Sequence, residues 1–328
     1  MSKKQLLKLK DVTKTYTVRS GILGLTSTPV QAVDGVTLQL TQGETLGLVG
    51  ESGCGKSTLA RLVTALEKPT SGTLEFKDKI ISKGLKGKHK KEFYRNVQMV
   101  FQDPFSSLNP RQKVGDIITE PLHIHNIGSK HDRIQKAKEL LDIVGLPASA
   151  TQLYPHEFSG GQRQRIAIAR ALALEPELII CDEAVSALDV SIQAQILNLL
   201  EKLQKERNLT YLFISHDLSV VGHLSDRVAV MYLGKIIEIA PADIIFTYPL
   251  HPYTQALLAA IPQPDPEASQ DYTPLTGDLP SPLNPPTGCP FHPRCPKALD
   301  VCSKEFPVSM DSAHGHSVFC HLYTNQME

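Results

Sequence analysis

The sequence lacks an excess of charge of either sign. Its 328 residues contain 34 Lys and Arg against 34 Asp and Glu, so the formal net charge at pH 7 is zero. A balanced chain has no overall field that would draw it to nucleic acid or to an anionic membrane. Any basic surface must therefore be local, and we expect no nucleic-acid partner.

A long apolar run is also missing. The longest window without a charged residue is 244–264, and four prolines interrupt it, which excludes a lipid-spanning helix there. At the start of the chain, Lys3 and Lys4 are followed by further lysines at Lys8 and Lys10 instead of an unbroken apolar segment. We therefore expect no secretory signal and a cytosolic chain.

Cysteine is scarce over most of the chain, since only two of the six precede residue 289. The other four crowd near the end as Cys289, Cys295, Cys302 and Cys320. A reducing cytosol disfavours disulfides, and four thiolates from loops suit zinc or an iron–sulfur cluster. The gaps of 5, 6 and 17 residues lack the C-x₂-C pairs of common zinc sites. Zinc, an iron–sulfur cluster and no metal all stay open.

What the sequence does contain is the pattern of an α/β protein, and its length allows about two domains. Non-alternating apolar runs at 46–49, 178–181 and 211–214 predict strands of a parallel sheet that helices cover on both faces. Apolar stripes at 134–144 and 192–203 predict two of the helices.

A phosphate-binding loop follows the first of these strands, Thr45–Val49. It matches G-x-x-x-x-G-K-[ST] with the consecutive residues Gly50, Glu51, Ser52, Gly53, Cys54, Gly55, Lys56 and Ser57. Glycines permit a turn that points successive backbone N–H groups at a polyphosphate beside a helix N-terminus. In this motif Lys56 reaches the β- and γ-phosphates, and Ser57 holds Mg²⁺.

Two acidic residues, Asp182 and Glu183, follow the second buried strand. A carboxylate at the end of a neighbouring parallel strand is placed to bind the same Mg²⁺ through water, and we assign this role to Asp182. Glu183 points elsewhere and is a candidate to orient or deprotonate the water that attacks the γ-phosphate.

The next motif carries a family resemblance. Ser159, Gly160, Gly161, Gln162 and Arg163, together with the phosphate loop, resemble the signature of ATP-binding cassette (ABC) ATPases. Ser159 is a good helix N-cap, and the two glycines leave the helix start open to an anion. The resemblance implies that this anion is the γ-phosphate of ATP bound to an opposite cassette, in a sandwich dimer.

Further matches appear in the family's order along the chain. The resemblance implies that Tyr16 stacks on adenine, that Thr58 belongs to the nucleotide site, that Gln102 senses Mg²⁺ and links to the membrane partner, and that His216 holds the γ-phosphate and water. Residues 186–189 match the loop that contacts the other cassette. The catalytic set implied is therefore Glu183, His216, Lys56 and Gln102, with Mg²⁺ bound by Ser57, Gln102 and Asp182.

One position departs from the family pattern. Ala184 stands where the family usually has proline after the catalytic glutamate. Alanine removes a fixed φ angle but leaves both acidic side chains unaltered, so we expect hydrolysis to survive.

Three stretches of the chain resemble a narrower group, the ATPases of dipeptide and oligopeptide importers: 101–110, 185–191 and 251–258. In that group two paralogous ATPases pair, and the chain most resembles the second of the two. Nickel importers share this layout. The resemblance implies a heterodimer with a paralogous ATPase, two transmembrane permease subunits and, indirectly, an extracytoplasmic solute-binding protein. It places the chain at the cytoplasmic face of the inner membrane. For the four cysteines it implies a [4Fe–4S] cluster, with zinc as the alternative.

These motifs and composition shifts predict a P-loop NTPase fold of ABC type in three parts. Residues 1–102 and 159–240 form the ATP-binding core with an antiparallel β subdomain, 103–158 form a helical subdomain, and 241–328 form an irregular Cys- and Pro-rich appendage. We interpret the basic run 77–95 as a solvated hairpin at a sheet edge. The competing functions are a soluble ABC ATPase outside transport and a purely regulatory subunit.

Overall fold

The structure is a computed structural model that describes residues 4–20, 26–103, 107–261, 278, 280–311 and 315–324. Two compact units are recognised. The first unit comprises 1–5, 40–45 and 84–215, and the second unit comprises 6–39, 46–83 and 216–328. Part of the predicted proline-rich stretch, 262–277, lies outside the described residues, as do Pro104, Phe105 and Ser106. The predicted domain boundaries stay predictions.

The strands of the described residues are β1 (Gln5–Ser20), β2 (Thr26–Thr41), β3 (Thr45–Val49), β4 (Ser71–Phe76), β5 (Lys79–Ile80), β6 (Val97–Val100), β7 (Leu178–Asp182), β8 (Thr210–Ser215), β9 (Arg227–Tyr232), β10 (Lys235–Pro241), β11 (Ser309–Asp311) and β12 (Ser317–Phe319). The helices are α1 (Lys56–Val63), α2 (Gly87–Asn96), α3 (Val114–Ile124), α4 (Lys130–Ile143), α5 (Gly160–Leu172), α6 (Val190–Arg207), α7 (Leu218–Leu224), α8 (Ala242–Thr247) and α9 (Pro252–Ala259). Short 3₁₀ turns occupy Ala148–Gln152, Pro155–Glu157, His292–Arg294, Asp300–Ser303 and His321–Tyr323.

In the first unit, β6, β7 and β8 pair in parallel with β7 at the centre. Every residue of β7 and β8 is buried, which explains why the sequence shows continuous apolar runs there instead of alternation. The predicted strands at 178–181 and 211–214 are confirmed. Because β7 ends at Asp182, the polar residues that follow it emerge at the carboxyl edge of this parallel group.

The helices of the first unit begin and end where local chemistry dictates. At the start of α4, the Ser129 hydroxyl accepts from the Asp132 N–H, and the Asp132 carboxylate accepts from the Ser129 N–H, forming a capping box. The helix ends just before Gly145, whose φ of 76° lies in the left-handed region that glycine adopts without strain. The helix predicted at 134–144 is therefore confirmed, and α6 confirms the one at 192–203.

The prediction of a hairpin over 77–95 is only partly right. In the second unit, β4 and β5 do pair antiparallel around Lys77 and Asp78, which both have positive φ. In the first unit, however, 87–96 form the helix α2. The many lysines of this segment are good helix formers, and Phe93 is the residue that the helix buries. A single buried apolar residue produces no periodic pattern, so the sequence does not indicate this helix.

The second unit contains two sheets. One has the order β2, β1, β4, β5 with antiparallel β1–β4 and β4–β5 pairs, as predicted for the antiparallel β subdomain. In the other, β3 pairs in parallel with β9, and β10, β12 and β11 continue antiparallel from β9. The predicted strand Thr45–Val49 is confirmed as β3, and α1 follows its phosphate loop.

Within the second unit, the C-terminal segment, described over 280–311 and 315–324, joins the second sheet through β12, which pairs with β10. A buried carboxylate supports this attachment: Glu238 of β10 accepts hydrogen bonds from the N–H groups of Leu250 and His251 and bonds to Nε2 of His316 at 2.7 Å. Glu238 is fully buried, so these partners offset the cost of removing its charge from water.

Among the described residues, no helix has both the length and the apolar character needed to cross a bilayer.

Candidate nucleotide-binding site

The loop between β3 and α1 is folded so that only glycine fits at its critical points. Gly55 caps α1 with φ 112°, a left-handed conformation that other residues rarely adopt. A Cβ atom on Gly55 would lie 2.1 Å from the carbonyl oxygen of Ala32, and one on Gly50 would lie 2.2 Å from that of Met231. The glycines of the motif therefore serve the close packing of the loop against neighbouring backbone.

Lys56 lies inside this loop. It is only 4% exposed, and its ammonium donates hydrogen bonds to the carbonyl oxygens of Gly50 at 2.7 Å and Glu51 at 3.0 Å. These bonds fix the lysine side chain within the turn. Beside it, burial raises the pKa of the Cys54 thiol, although the nearby Lys56 charge opposes the rise. Cys54 is therefore a neutral, buried filler of the loop.

The start of α1 has the electrostatics of an anion site. Its first turn contains no acidic residue, and within the described residues no side chain caps it. The N-terminus of a helix carries a partial positive charge and backbone N–H groups that favour phosphate. Ser57 and Thr58 lie half-buried in this turn, and Ser52 and Gly53 are exposed in the loop before it.

Tyr16 lies on β1 and is half-buried. Its hydroxyl donates to Glu67, and Lys14 lies 4.9 Å from the centre of its ring. Burial raises the pKa of the phenol, the bond to Glu67 raises it further, and a hydrogen bond with Thr58 opposes the rise. The structure thus brings Tyr16 next to a residue of the predicted nucleotide site; adenine stacking by its ring stays a prediction.

In the first unit, the predicted Mg²⁺-sensing glutamine meets the predicted general base. Nε2 of Gln102, just after β6, donates to Oε2 of Glu183 at 2.8 Å. Glu183 has a positive φ of 48°, and its N–H donates to the carbonyl of Ile214 on β8. This local turn aims the Glu183 carboxylate at Gln102, while Asp182 stays buried at the end of β7.

The signature segment has the predicted helix cap. The Ser159 hydroxyl accepts from the N–H of Gln162, and Oε1 of Gln162 accepts from the N–H of Ser159. Ser159 and Gln162 thus satisfy each other's hydrogen-bonding groups. The two glycines between them contribute only backbone at the start of α5. Gly161 is buried and Gly160 is half-exposed.

Gly161 carries a steric constraint that Gly160 lacks. A Cβ atom on Gly161 would lie 2.4 Å from Cγ2 of Ile192 on α6, whereas one on Gly160 would meet Cδ2 of Leu188 at an ordinary 3.5 Å. We expect Gly161→Ala to lower the free energy of unfolding by about 1–3 kcal/mol, as overpacking of a core does. Urea unfolding followed by circular dichroism measures this.

Gly160→Ala is the matched control and should change the free energy of unfolding by less than about 0.5 kcal/mol. Adding Ile192→Ala to Gly161→Ala should restore part of the lost free energy of unfolding, because it removes the clashing Cγ2 atom. Equal stabilities of the two glycine variants would contradict the constraint.

The remaining family elements lie in ordered turns. Asp189 caps α6 by accepting from the N–H of Ile192 at 2.9 Å, and Ser186 donates to the carbonyl of Glu183 at 3.0 Å. Ala184, where the family usually has proline, is buried. His216 belongs to the second unit, is exposed, and directly precedes Asp217, the N-cap of α7.

The four late cysteines gather in the second unit. Burial raises the pKa of Cys289 to about 11, and the neighbouring thiols of Cys302, Cys320 and Cys295 add to the rise. Burial also raises the pKa of Cys320 to about 11, again with a contribution from Cys295 and Cys302. Within the described ranges, no group of three or more His, Cys, Asp or Glu side chains is arranged to hold a metal ion.

Sequence reasoning missed one contact of the phosphate loop. The guanidinium of Arg294, from the C-terminal segment, bonds to both carboxylate oxygens of Glu51, at 2.7 and 3.0 Å. The two residues are 243 positions apart, so no local pattern could have paired them. The one available signal was Arg294 itself, a charged residue beside Cys295.

These loops and caps are those of a nucleotide-hydrolysing cassette, and comparison with known proteins agrees. The family model for the ABC transporter matches residues 33–186. The dimeric structure of the ATP-binding cassette MJ0796 bound to ADP and Pi is 30% identical, with a TM-score of 0.64, over 72% of this chain and 99% of that one. The protein belongs to the ABC transporter family and has its α/β cassette fold and ATPase chemistry.

A second family match and two relatives define a narrower group within the ABC transporter family. The model for the C-terminal region of oligopeptide/dipeptide transporters matches residues 237–302. The oligopeptide transport ATP-binding protein AppF of Bacillus subtilis is 56% identical over 97% of this chain and 98% of its own length. OppF of Salmonella typhimurium, with the same description, is 50% identical over 97% of this chain and 96% of its own. The chain belongs with these ATP-binding proteins.

Proposed function

We propose that the protein is the ATP-hydrolysing, energy-coupling subunit of an importer for dipeptides or oligopeptides. The observation that carries this proposal is the combination of an ABC transporter match over 33–186 with a C-terminal region of the oligopeptide/dipeptide transporter type over 237–302. Full-length similarity to AppF and OppF, both described as oligopeptide transport ATP-binding proteins, supports it. A soluble ABC ATPase outside transport would not be expected to carry that C-terminal region.

Different residues bind the nucleotide and the Mg²⁺ ion. Lys56 and the first-turn N–H groups of α1 bind the β- and γ-phosphates, and Tyr16 holds the adenine ring. The hydroxyl of Ser57, the carboxylate of Asp182 and the amide oxygen of Gln102 are hard oxygen donors, which suit Mg²⁺. That ion would neutralise charge on the phosphates when bound.

Glu183 accepts a proton from the attacking water, and the amide of Gln102, which donates to its carboxylate at 2.8 Å, holds it in one orientation. His216 holds the water and the γ-phosphate. Most of the remaining rate acceleration comes from positioning and from neutralising the phosphate oxygens.

The functional assembly contains two cassettes. Ser159, Gly160, Gly161 and Gln162 of α5 bind the γ-phosphate of ATP on a paralogous ATPase, and the partner's signature does the same for this chain. The dimeric form of the related cassette MJ0796 supports this arrangement. Two permease subunits hold the pair at the cytoplasmic face of the inner membrane, docking near 102–111, and a solute-binding protein delivers the solute from outside.

Uptake by cells tests the solute class. Cells that lack this chain should lose uptake of labelled dipeptides and oligopeptides, and the wild-type chain should restore it. Unlabelled peptides should compete, and nickel should not. Restored nickel uptake with unchanged peptide uptake would replace the peptide proposal with the nickel alternative.

We also propose that Cys289, Cys295, Cys302 and Cys320 hold a [4Fe–4S] cluster. The four thiols support it, because they lie close enough that, besides burial, they raise the pKa of Cys289 and of Cys320. A bound cation would reverse that effect by stabilising thiolates.

The metal is tested on protein purified without oxygen. We expect about four irons and four sulfides per chain, with broad absorption near ~400 nm, and loss of both in Cys295→Ala. Zinc in a colourless sample would establish the zinc alternative. A metal-free protein whose four thiols react with a maleimide reagent would exclude both.

A further inference from the structure

The C-terminal segment reaches the phosphate loop at a single charged pair. Both Nη atoms of Arg294 bond to the two carboxylate oxygens of Glu51, at 2.7 and 3.0 Å, the two-pronged geometry that gives the strongest arginine–carboxylate contacts. Arg294 is 8% exposed. Its bond to Glu51 raises the pKa of the guanidinium, so the residue stays charged.

Aromatic residues fix this pair in place. Nη1 of Arg294 also donates to the hydroxyl of Tyr232 at 3.3 Å, and the hydroxyl of Tyr253 accepts from the N–H of Glu51 at 2.9 Å. The rings of Tyr232 and Tyr253 pack 4.7 Å apart, and Phe291 lies 5.4 Å from each. All three rings are fully buried, so Glu51 is held through its carboxylate and through its backbone.

Glu51 is the second residue of the loop, and its carbonyl oxygen accepts from the ammonium of Lys56. The position of Glu51 therefore sets the turn that carries Lys56. Its carboxylate also brings a negative charge to a loop that binds a polyphosphate. Like charges repel strongly at a partly buried site, and the guanidinium of Arg294 cancels this repulsion.

We propose that Arg294 is a positioning residue for nucleotide binding: by neutralising and holding Glu51, it makes the ATP affinity of the phosphate loop depend on the C-terminal segment. The inference rests on the proposed role of the loop in binding ATP. Its guanidinium bonds to Glu51 and Tyr232, neither of which is a predicted catalytic residue, so it acts on binding and leaves the chemical step nearly unchanged.

Titration of the full-length protein with a fluorescent ATP analogue (MANT-ATP) tests the inference. We expect Arg294→Gln to weaken binding about tenfold, a typical coupling between sites, and to raise KM for ATP by a similar factor with kcat within about twofold. The double variant Glu51→Gln/Arg294→Gln should bind more tightly than Arg294→Gln alone, because the unpaired carboxylate is gone.

Conservative variants keep the test valid if Arg294→Gln does not fold. Arg294→Lys retains the charge but not the two-pronged bond, and Glu51→Gln retains one acceptor oxygen. Each variant should bind MANT-ATP about threefold more weakly and should unfold at the same temperature as the wild type. Unchanged affinity in these variants, or strictly multiplicative losses in the double variant, would overturn the inference.

Three binding measurements separate the role of Arg294 from the role of the phosphate loop. If the wild type binds MANT-ATP, Lys56→Ala does not, and the Arg294 variants match the wild type, only the role of Arg294 is wrong. If the wild type and Lys56→Ala bind equally weakly, the assignment of the loop is wrong.

Discussion

Glu183→Gln should reduce the ATPase rate at least about 100-fold, since a positioned general base contributes about 10²–10⁴ to such reactions. The substitution keeps the size of the side chain and leaves an amide oxygen that can still accept from Gln102, whose Nε2 lies 2.8 Å from the carboxylate. What it removes is the ability to take a proton from water. Phosphate release measured at saturating ATP and Mg²⁺ gives the rate.

The same variant should still bind ATP, because Glu183 does not belong to the phosphate loop. Its ATP-bound cassettes should accumulate as dimers on size-exclusion chromatography, since hydrolysis no longer resets them. Glu201→Gln is the matched control: Glu201 is a half-exposed helix residue that pairs with Lys205, so this change should leave the rate as it is. ATPase activity of Glu183→Gln within threefold of the wild type would contradict the assignment.

Lys56→Ala should weaken ATP binding by about 100-fold, which corresponds to the loss of charge-assisted hydrogen bonds worth about 1.5–3 kcal/mol each. The buried ammonium is the cation that the loop offers to the β- and γ-phosphates. It also bonds to the carbonyls of Gly50 and Glu51, so its removal loosens the turn. Titration with MANT-ATP measures the affinity.

Lys88→Ala is the control for charge alone, because Lys88 is an exposed residue of α2. It removes one positive charge from the chain and should leave the affinity within about twofold. Thermal unfolding of both variants checks that the fold is intact. Equal affinity of Lys56→Ala and the wild type would contradict the binding role of the loop.

Local signals predicted the parts of the structure that local chemistry decides. Gly55 was predicted from the motif, and the structure gives it a positive φ and contact with the Ala32 backbone. The cap at Ser159 was predicted from the residue type, and its bond to Gln162 is present. The strands at 178–181 and 211–214 were predicted because burial on both faces removes the alternation that exposed strands show.

Contacts between distant parts of the chain could not be predicted in this way. Arg294 and Glu51, like His316 and Glu238, are joined by the fold and carry no periodic or spacing signal. Helix α2 was missed because its pattern is nearly all polar, with one apolar residue, Phe93, buried. The roles of the site residues rest on chemistry and family membership and stay predictions.

In the assembled importer, we expect this chain to convert ATP hydrolysis into peptide import. The most direct test uses proteoliposomes that contain the chain, its paralogous ATPase, the two permeases and the solute-binding protein. ATP hydrolysis and uptake of a labelled peptide are measured together. We predict that peptide stimulates hydrolysis, that uptake requires ATP, and that Glu183→Gln abolishes uptake while ATP binding persists. Wild-type uptake of peptide by the Glu183→Gln assembly would contradict the account.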